Sequence, residues 1–250
     1  MKLSAVIITL NEASNIARAI KSVRFADEII VIDSFSTDGT QQIAKKYGAK
    51  VIEHEFLGYG KQKNLAITHC QGEWILSIDA DEEVTDQLKD SILKSIQSSR
   101  YQAYIIGRRT QFCGKWIYHG GWYPDKLLRL FKKDYADWTE PHVHEELLPK
   151  KGTSISELSG HLNHYSFPSV VSQVQTNLKY APLGAQALWE RKGRPSLALM
   201  IFRPIGKFLE CFFIKKGFMD GTRGFIIAIN AAYSMFLKYS IAYFNKRSPS

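Results

Sequence analysis

The apolar run Trp74-Ile75-Leu76-Ser77-Ile78 stops abruptly in Asp79-Ala80-Asp81-Glu82-Glu83, and this junction limits the folds open to the chain more than any other stretch. The run reads as a buried strand and the acidic segment as the loop that leaves it. Four carboxylates within five residues need positive partners. Alternate residues on a strand share a face, so Asp79 and Asp81 should point the same way at the strand end. There they are placed to hold one hard divalent cation of the kind that carries phosphates. In an open α/β sheet, ligands collect beyond the carboxyl ends of the strands, where this loop would lie. The structural alternative is a solvated acidic loop ahead of a helix capped by Thr85.

The preceding segments fit such a sheet. Leu3 to Leu10 is a nearly continuous apolar run, as a central parallel strand covered on both faces requires. Asn11-Glu12 ends it, Ile16, Ala19, Ile20 and Val23 follow at helical spacing, and Glu28 to Asp33 makes a second buried strand. In the loop from Asp33 to Thr40, Gly39 is free to take a positive φ and Thr40 is placed to cap a helix over 41–47. A short strand over 50–53, a glycine-bounded loop at Gly58-Tyr59-Gly60 and a helix through Cys70 lead to the Trp74 strand. This rhythm predicts an α/β fold, a doubly wound, mostly parallel sheet with helices on both faces through about residue 82. Gly60-Lys61 lacks P-loop spacing and no G-x-G-x-x-G occurs, which excludes both nucleotide fingerprints.

Composition decides what the charge is for. With 45% hydrophobic and 23% charged residues, the 250-residue chain is globular, long enough for one large domain and an appendage. Cysteines 70, 113 and 211 are isolated and fit no metal-ligand spacing, which points to a reducing compartment. Met1-Lys2-Leu3-Ser4 runs straight into the first strand, so no signal peptide is expected. Through Glu190 there are 22 Lys/Arg against 22 Asp/Glu; from Arg191 onward there are 11 against only Glu210 and Asp220. The chain therefore divides into a neutral catalytic body over 1–190 and a basic tail over 191–250. A neutral body argues against nucleic acid as a partner, because phosphate backbones call for basic residues spread over the binding face.

Four segments now stand together: Val6-Ile7-Ile8-Thr9-Leu10-Asn11-Glu12, Ile32-Asp33 through Thr40, Lys61-Gln62-Lys63-Asn64, and Trp74 through Glu82. In order and spacing they resemble the inverting family 2 glycosyltransferases of the GT-A fold, a resemblance that covers residues 1–150. A looser series, Trp122-Tyr123-Pro124-Asp125, Leu128-Arg129-Leu130-Phe131, Val143-His144-Glu145 and His164-Tyr165-Ser166-Phe167, is most similar to bacterial lipopolysaccharide-core β-1,4-glucosyltransferases. The resemblance implies a Rossmann-like GT-A domain, a UDP-sugar donor, typically UDP-glucose, and a core heptose acceptor. It also implies that Thr9, Asn11, Glu12, Asp33 and Lys61 surround the nucleotide, with Asp33 accepting from uracil and Lys61 offsetting phosphate charge. Thr9 and Asn11 also suit plain strand-end positions and Asp33 a loop-opening cap. The nearest alternative is a glycosyltransferase acting on a polyprenyl phosphate lipid. A nucleotidyltransferase would show a Gly- and Arg-rich loop where Asn11-Glu12-Ala13-Ser14 stand.

The chemistry suits these residues. Cleaving a sugar from a diphosphate develops negative charge on the diphosphate, which Mg2+ or Mn2+ held by Asp81, with Asp79 nearby, would neutralise as a Lewis acid. His164 could complete the metal shell as a neutral imidazole or touch the diphosphate. Inversion needs one general base for the acceptor hydroxyl. Asp125, Glu140, Glu145 and Glu146 are candidates, and Glu145 is preferred because Val-His-Glu matches the family and His142 and His144 flank it. Arg129, inside an apolar strand, requires an anion, either Glu145 or donor phosphate. Residues 103–131 read as a β-ribbon around a loop bearing Trp116, Tyr118, Trp122 and Tyr123, suited to sugar faces or to core packing.

In the tail, Ile205, Phe208, Leu209, Phe212 and Phe213 recur at helical spacing after Pro204, with Lys207, Glu210, Lys215 and Lys216 available for a polar side. Gly224 to Leu237 is charge-free for 14 residues, short of the about 20 that cross a bilayer. The expectation is peripheral attachment to the cytoplasmic face of the bacterial inner membrane through amphipathic helices. A helical pair packed on the body is the alternative.

Overall fold

The computed structural model describes residues 2–139 and 146–244. Its elements run β1 (Leu3–Thr9), α1 (Ile16–Ser22), β2 (Glu28–Asp33), α2 (Thr40–Lys46), β3 (Lys50–Glu53), α3 (Tyr59–Thr68), β4 (Trp74–Asp79), β5 (Glu82–Val84) and α4 (Asp86–Ser98). They continue with β6 (Ala103–Phe112), β7 (Lys115–Trp116), β8 (Asp125–Lys132), β9 (Ala136–Trp138), β10 (Leu147–Pro149), β11 (Ile155–Phe167), α5 (Val170–Lys192), α6 (Leu197–Leu209) and α7 (Gly221–Phe244). Two compact units result: Met1–Arg108 with Asp125–His164, and Arg109–Pro124 with Tyr165–Ser250. The sequence boundary at 190/191 falls in the last turn of α5.

The first unit holds the sheet whose parallel half, β3-β2-β1-β4, the apolar rhythm predicts; the sheet continues through β8-β6-β11-β5, which that rhythm did not reach. β1 pairs in parallel with β2 (Thr9 opposite Asp33) and with β4 (Ile8 opposite Asp79), so chain order reverses between β1 and β4. That switch point opens a crevice beyond the carboxyl ends of the two strands. The period of two sorts side chains to opposite faces. Leu3, Ala5 and Ile7 join Ile16, Ala19 and Ile20 of α1 and Leu88, Ile92 and Ile96 of α4 in one core, while Val6 joins Ala66 and Ile67 of α3 in the other. Both faces are covered by helices, which is why β1 and β4 read as unbroken apolar runs. The expected ribbon is the antiparallel pair β6–β8, and Thr85 does cap α4, accepting from the Leu88 N–H.

Thr40 does not cap α2. Gly39, at φ 93°, holds the cap position, and the Thr40 hydroxyl instead donates to Asp38 and accepts from the Glu12 N–H at 2.8 Å. The hydroxyl thereby ties two loops together.

In the second unit, β7 pairs with the end of β6, and the aromatic loop packs mainly as core. Trp122 meets Phe112 and Phe167, Trp116 meets Tyr165, and only Tyr118 of the loop's aromatics is largely exposed. α5 and α7 run the same way, linked by Asn230 Nδ2 to Gln173 Oε1 at 2.7 Å and Asn177 Nδ2 to the Asn230 carbonyl at 3.2 Å. α6 begins after its Ser196 cap, eight residues before Pro204, and passes through a π-helical turn and a 3-10 turn into α7. Gly224 permits this: a Cβ there would lie 1.7 Å from the Gly217 carbonyl oxygen. α7 continues through Lys238 as one helix, and Gly217–Phe244 is long and apolar enough to cross a bilayer by length and composition. The charge-free count of 14 underestimated it, because one lysine does not end a helix.

Candidate functional site

Strand β4 ends at Asp79, and the turn Ala80-Asp81 reverses the chain into β5, which pairs antiparallel with β11. The reversal breaks the alternation that would have put Asp79 and Asp81 on one cation, and the two carboxylates have different partners. Asp79 accepts from Arg129 Nη2 at 2.8 Å and lies 3.0 Å from Lys63 Nζ. Asp81 lies 3.1 Å from Nε2 of His164, which the β5–β11 register places opposite Glu82.

Glu82, fully buried, organises the other side. It accepts from the Asp79 N–H at 2.9 Å, from Arg108 Nη1 at 2.9 Å and from Arg129 Nη2 at 3.4 Å, and Arg108 also binds Asp125 at 2.6 Å. Arg129 therefore finds its anions in Asp79 and Glu82. Burial alone would raise the Asp79 pKa, but Arg129 and Lys63 outweigh it and hold the carboxyl well below its ordinary value. The same carboxylates keep Arg129 protonated against the desolvation that opposes its charge.

Lys63 is nearly fully buried, with its ammonium 4.2 Å from the centre of the Trp138 ring. Asn64 fixes that ring from the backbone, donating to the Trp138 carbonyl at 2.9 Å and accepting the Trp138 N–H at 3.0 Å. A cleft of about 480 Å³ opens here, lined by Lys63, Asp79, Lys126, Arg129, Trp138 and Glu146 among others. Of the base candidates, Asp125 is engaged by Arg108, and Glu146 lies at this cleft. Glu145 and Glu140, with His142 and His144, lie outside the described residues.

The residues expected around the nucleotide surround the end of β1. Thr9 is buried there, its hydroxyl without a hydrogen-bond partner among the described residues. Asn11, at φ 56°, accepts from the Thr37 N–H at 2.9 Å and donates its own N–H to Ser36 at 2.8 Å. Burial, and the nearby charges of Asp81 and Asp38, raise the Glu12 pKa, while Asn15 donates to its carboxylate at 2.8 Å. Asp33 is fully buried and its carboxylate is taken up by its own loop, accepting from the Ser36 N–H and hydroxyl and from Gln41 Nε2. That is the loop-opening cap which the sequence also allowed. Lys61 is exposed in the first turn of α3.

Among the described residues, the Asp81–His164 pair is where a divalent cation would fit. Neighbouring ligands of an octahedral ion at about 2.1 Å stand about 3.0 Å apart, and the Asp81 oxygen and His164 nitrogen are 3.1 Å apart. Glu12 adds a second carboxylate to the surrounding field. Among the described residues no three His, Cys, Asp or Glu side chains gather as a complete ligand set, so other ligands would have to come from substrate or water. Asp79, committed to two cations, is a less suitable ligand than the sequence suggested.

Sequence reasoning did not single out Lys63, Arg108 or Trp138.

Residues 4–161 match the model of the family described as glycosyl transferase family 2, and the chain belongs to that family. An uncharacterized glycosyltransferase of Rickettsia typhi is 36% identical, the match covering 95% of this chain and 85% of the relative. The lipopolysaccharide core biosynthesis glycosyltransferase LpsC of Rhizobium meliloti is 29% identical over 95% of this chain and 90% of its own length. The structure of residues 1–349 of TarS from Staphylococcus aureus, in complex with UDP-GlcNAc, superposes with a TM-score of 0.49 at 16% identity, covering 97% of this chain and 90% of that one.

Proposed function

We propose that this glycosyltransferase moves a hexose, glucose first among candidates, from a UDP-sugar to a heptose of the lipopolysaccharide core, with inversion at the anomeric carbon. The observation that carries the reading is the Asp81–His164 pair, 3.1 Å apart beyond the end of β4 and beside Glu12. A bound Mg2+ or Mn2+ would supply Lewis-acid neutralisation of the departing diphosphate there. Arg129 and Lys63 hold Asp79 ionised and in place at the same strand end. Thr9, Asn11, Glu12 and Lys61 receive the nucleotide, and Glu145 takes the proton from the attacking hydroxyl. The likeness to LpsC, named for lipopolysaccharide core biosynthesis, supports the acceptor class.

The basic tail keeps the enzyme at the cytoplasmic face of the inner membrane, where such an acceptor is presented. The support is α6, which has no buried residue and exposes Phe202, Ile205 and Leu209. The purified chain should release UDP from a UDP-sugar only when both Mg2+ or Mn2+ and a truncated core acceptor are present. Label transferred into a polyprenyl phosphate lipid instead would replace the acceptor assignment, and release of pyrophosphate would overturn the reaction class.

A further inference from the structure

The packing of α5, α6 and α7 gathers four cations with too few anions. Lys238 lies half-buried on α7, its stem crossing α5 so closely that a Cβ on Gly184 would stand 3.2 Å from its Cδ. Burial lowers its pKa, and the positive charges of Lys207, Arg191 and Arg203 lower it further. These belong to α6, α5 and α6. Lys207 has Glu210 at 3.2 Å, but Arg191, Arg203 and Lys238 have no carboxylate partner among the described residues. α7 packs against both α5 and α6, so a half-buried ammonium there stands in a field of like charge, at a cost that an added anion would relieve.

The surroundings say what sort of anion. On α6 the side chains flanking Arg203 include Phe202, 68% exposed, and Ile201 and Ile205, each about half exposed. A soluble phosphate would leave that apolar surface in water, whereas a lipid answers both features at once.

We propose that Arg191, Arg203, Lys207 and Lys238 form a site for the phosphate of an anionic phospholipid whose acyl chains lie against the exposed apolar face of α6. The site names the partner of the tail and rests on the membrane-surface reading above. In this arrangement α6 lies in the plane of the leaflet and Lys238 stands at headgroup level.

The test is co-sedimentation of the full chain with vesicles of phosphatidylcholine alone and of phosphatidylcholine with phosphatidylglycerol. Arg203→Gln/Lys238→Gln should lose roughly 30-fold in affinity for the anionic vesicles, the effect of two headgroup cations. Arg203→Lys/Lys238→Arg should bind nearly as the parent does. Lys45→Gln/Lys46→Gln removes the same charge from exposed positions on α2 and should change little. Equal losses in the two Gln pairs would mean diffuse attraction and overturn the site. Release by inorganic phosphate, but not by chloride at equal ionic strength, would show a soluble-phosphate site and overturn the lipid assignment. A parent chain that sediments with neither vesicle would overturn the membrane reading itself, and this site with it. Because Lys238→Gln relieves repulsion, its melting temperature should equal or exceed the parent's, and UDP-sugar binding should persist.

Discussion

Arg129 of β8 donates from Nη2 to the carboxylate of Asp79 at 2.8 Å, closing an ion cluster between strands fifty positions apart in sequence. Glu82, Lys63 and Arg108 complete it, and every charge in it has an opposite partner. Breaking such a cluster from one side costs more than its formation contributes, because a buried charge is left behind. Arg129→Met should therefore destabilise the fold by about 3–5 kcal/mol in urea unfolding. In the background of Asp79→Asn the same substitution should cost less, since one of the stranded anions has gone. A loss below about 1 kcal/mol would show that the cluster does not hold the strands.

Two carboxyls at the site respond to acid in opposite ways. The folded pKa of Asp79 is depressed, so its contribution is fully present above the unfolded value of 3.8 and is lost as pH falls through the folded value. Asp79→Asn should flatten the acid limb of a stability–pH curve measured between about pH 5 and 2. Glu12 has a raised folded pKa, so its contribution is present below the unfolded value of 4.5 and disappears as pH rises. At neutral pH Glu12→Gln should thus be as stable as the parent or more so while losing activity.

Gly160, on β11, has φ +94°, and a Cβ there would stand 2.4 Å from the Leu88 nitrogen and 2.7 Å from its Cα. α4 starts against this bare backbone, and neither side can retreat without moving Thr85, which both donates to the His161 carbonyl and accepts its N–H. Gly160→Ala should cost roughly 2–5 kcal/mol from strain and overpacking together. Because β11 also carries His164, the variant should weaken the response to Mn2+ before it unfolds.

The first ninety residues were legible because both-sided burial turns parallel strands into apolar runs whose ends are sharp. β2 and β3 fall where the sequence put them, and the carboxylate loop lies at the switch point. What the sequence hid depends on long-range pairing. Asp79 and Asp81 look equivalent in one dimension, and only the β5–β11 pairing, eighty residues apart, gives Asp81 its histidine while β8 gives Asp79 its arginine. Lys63 was invisible as a site residue because a lysine's burial depends on Trp138 and Asp79, neither of them near it in sequence. In the tail, the helical spacing noted after Pro204 also extends ahead of it, and Pro204 sits inside α6, where solvent can satisfy the carbonyls it frees.

Asp81 and His164 should act as a pair toward a cation. Asp81→Asn removes a charge at nearly constant volume, and His164→Gln removes a nitrogen ligand, so each should weaken Mn2+ binding about tenfold or more. Water-proton relaxation measures that binding without turnover, and the double variant should lose little beyond either single one. Unchanged Mn2+ affinity in both would mean that the contact is a local ion pair only.

Glu145 should act only in the transition state. A base that takes the acceptor proton contributes little to holding the donor, so Glu145→Gln should lower turnover about 100-fold or more with UDP-sugar affinity unchanged. Donor affinity read by calorimetry separates this from a role in the nucleotide site, because a ligand of the donor would lose ground-state binding and transition-state binding together. Were affinity to collapse with turnover, Glu145 would belong to the donor side. The base would then be sought at Glu140 or Glu146, since Asp125 is held by Arg108 at 2.6 Å and would have to break that pair to accept a proton.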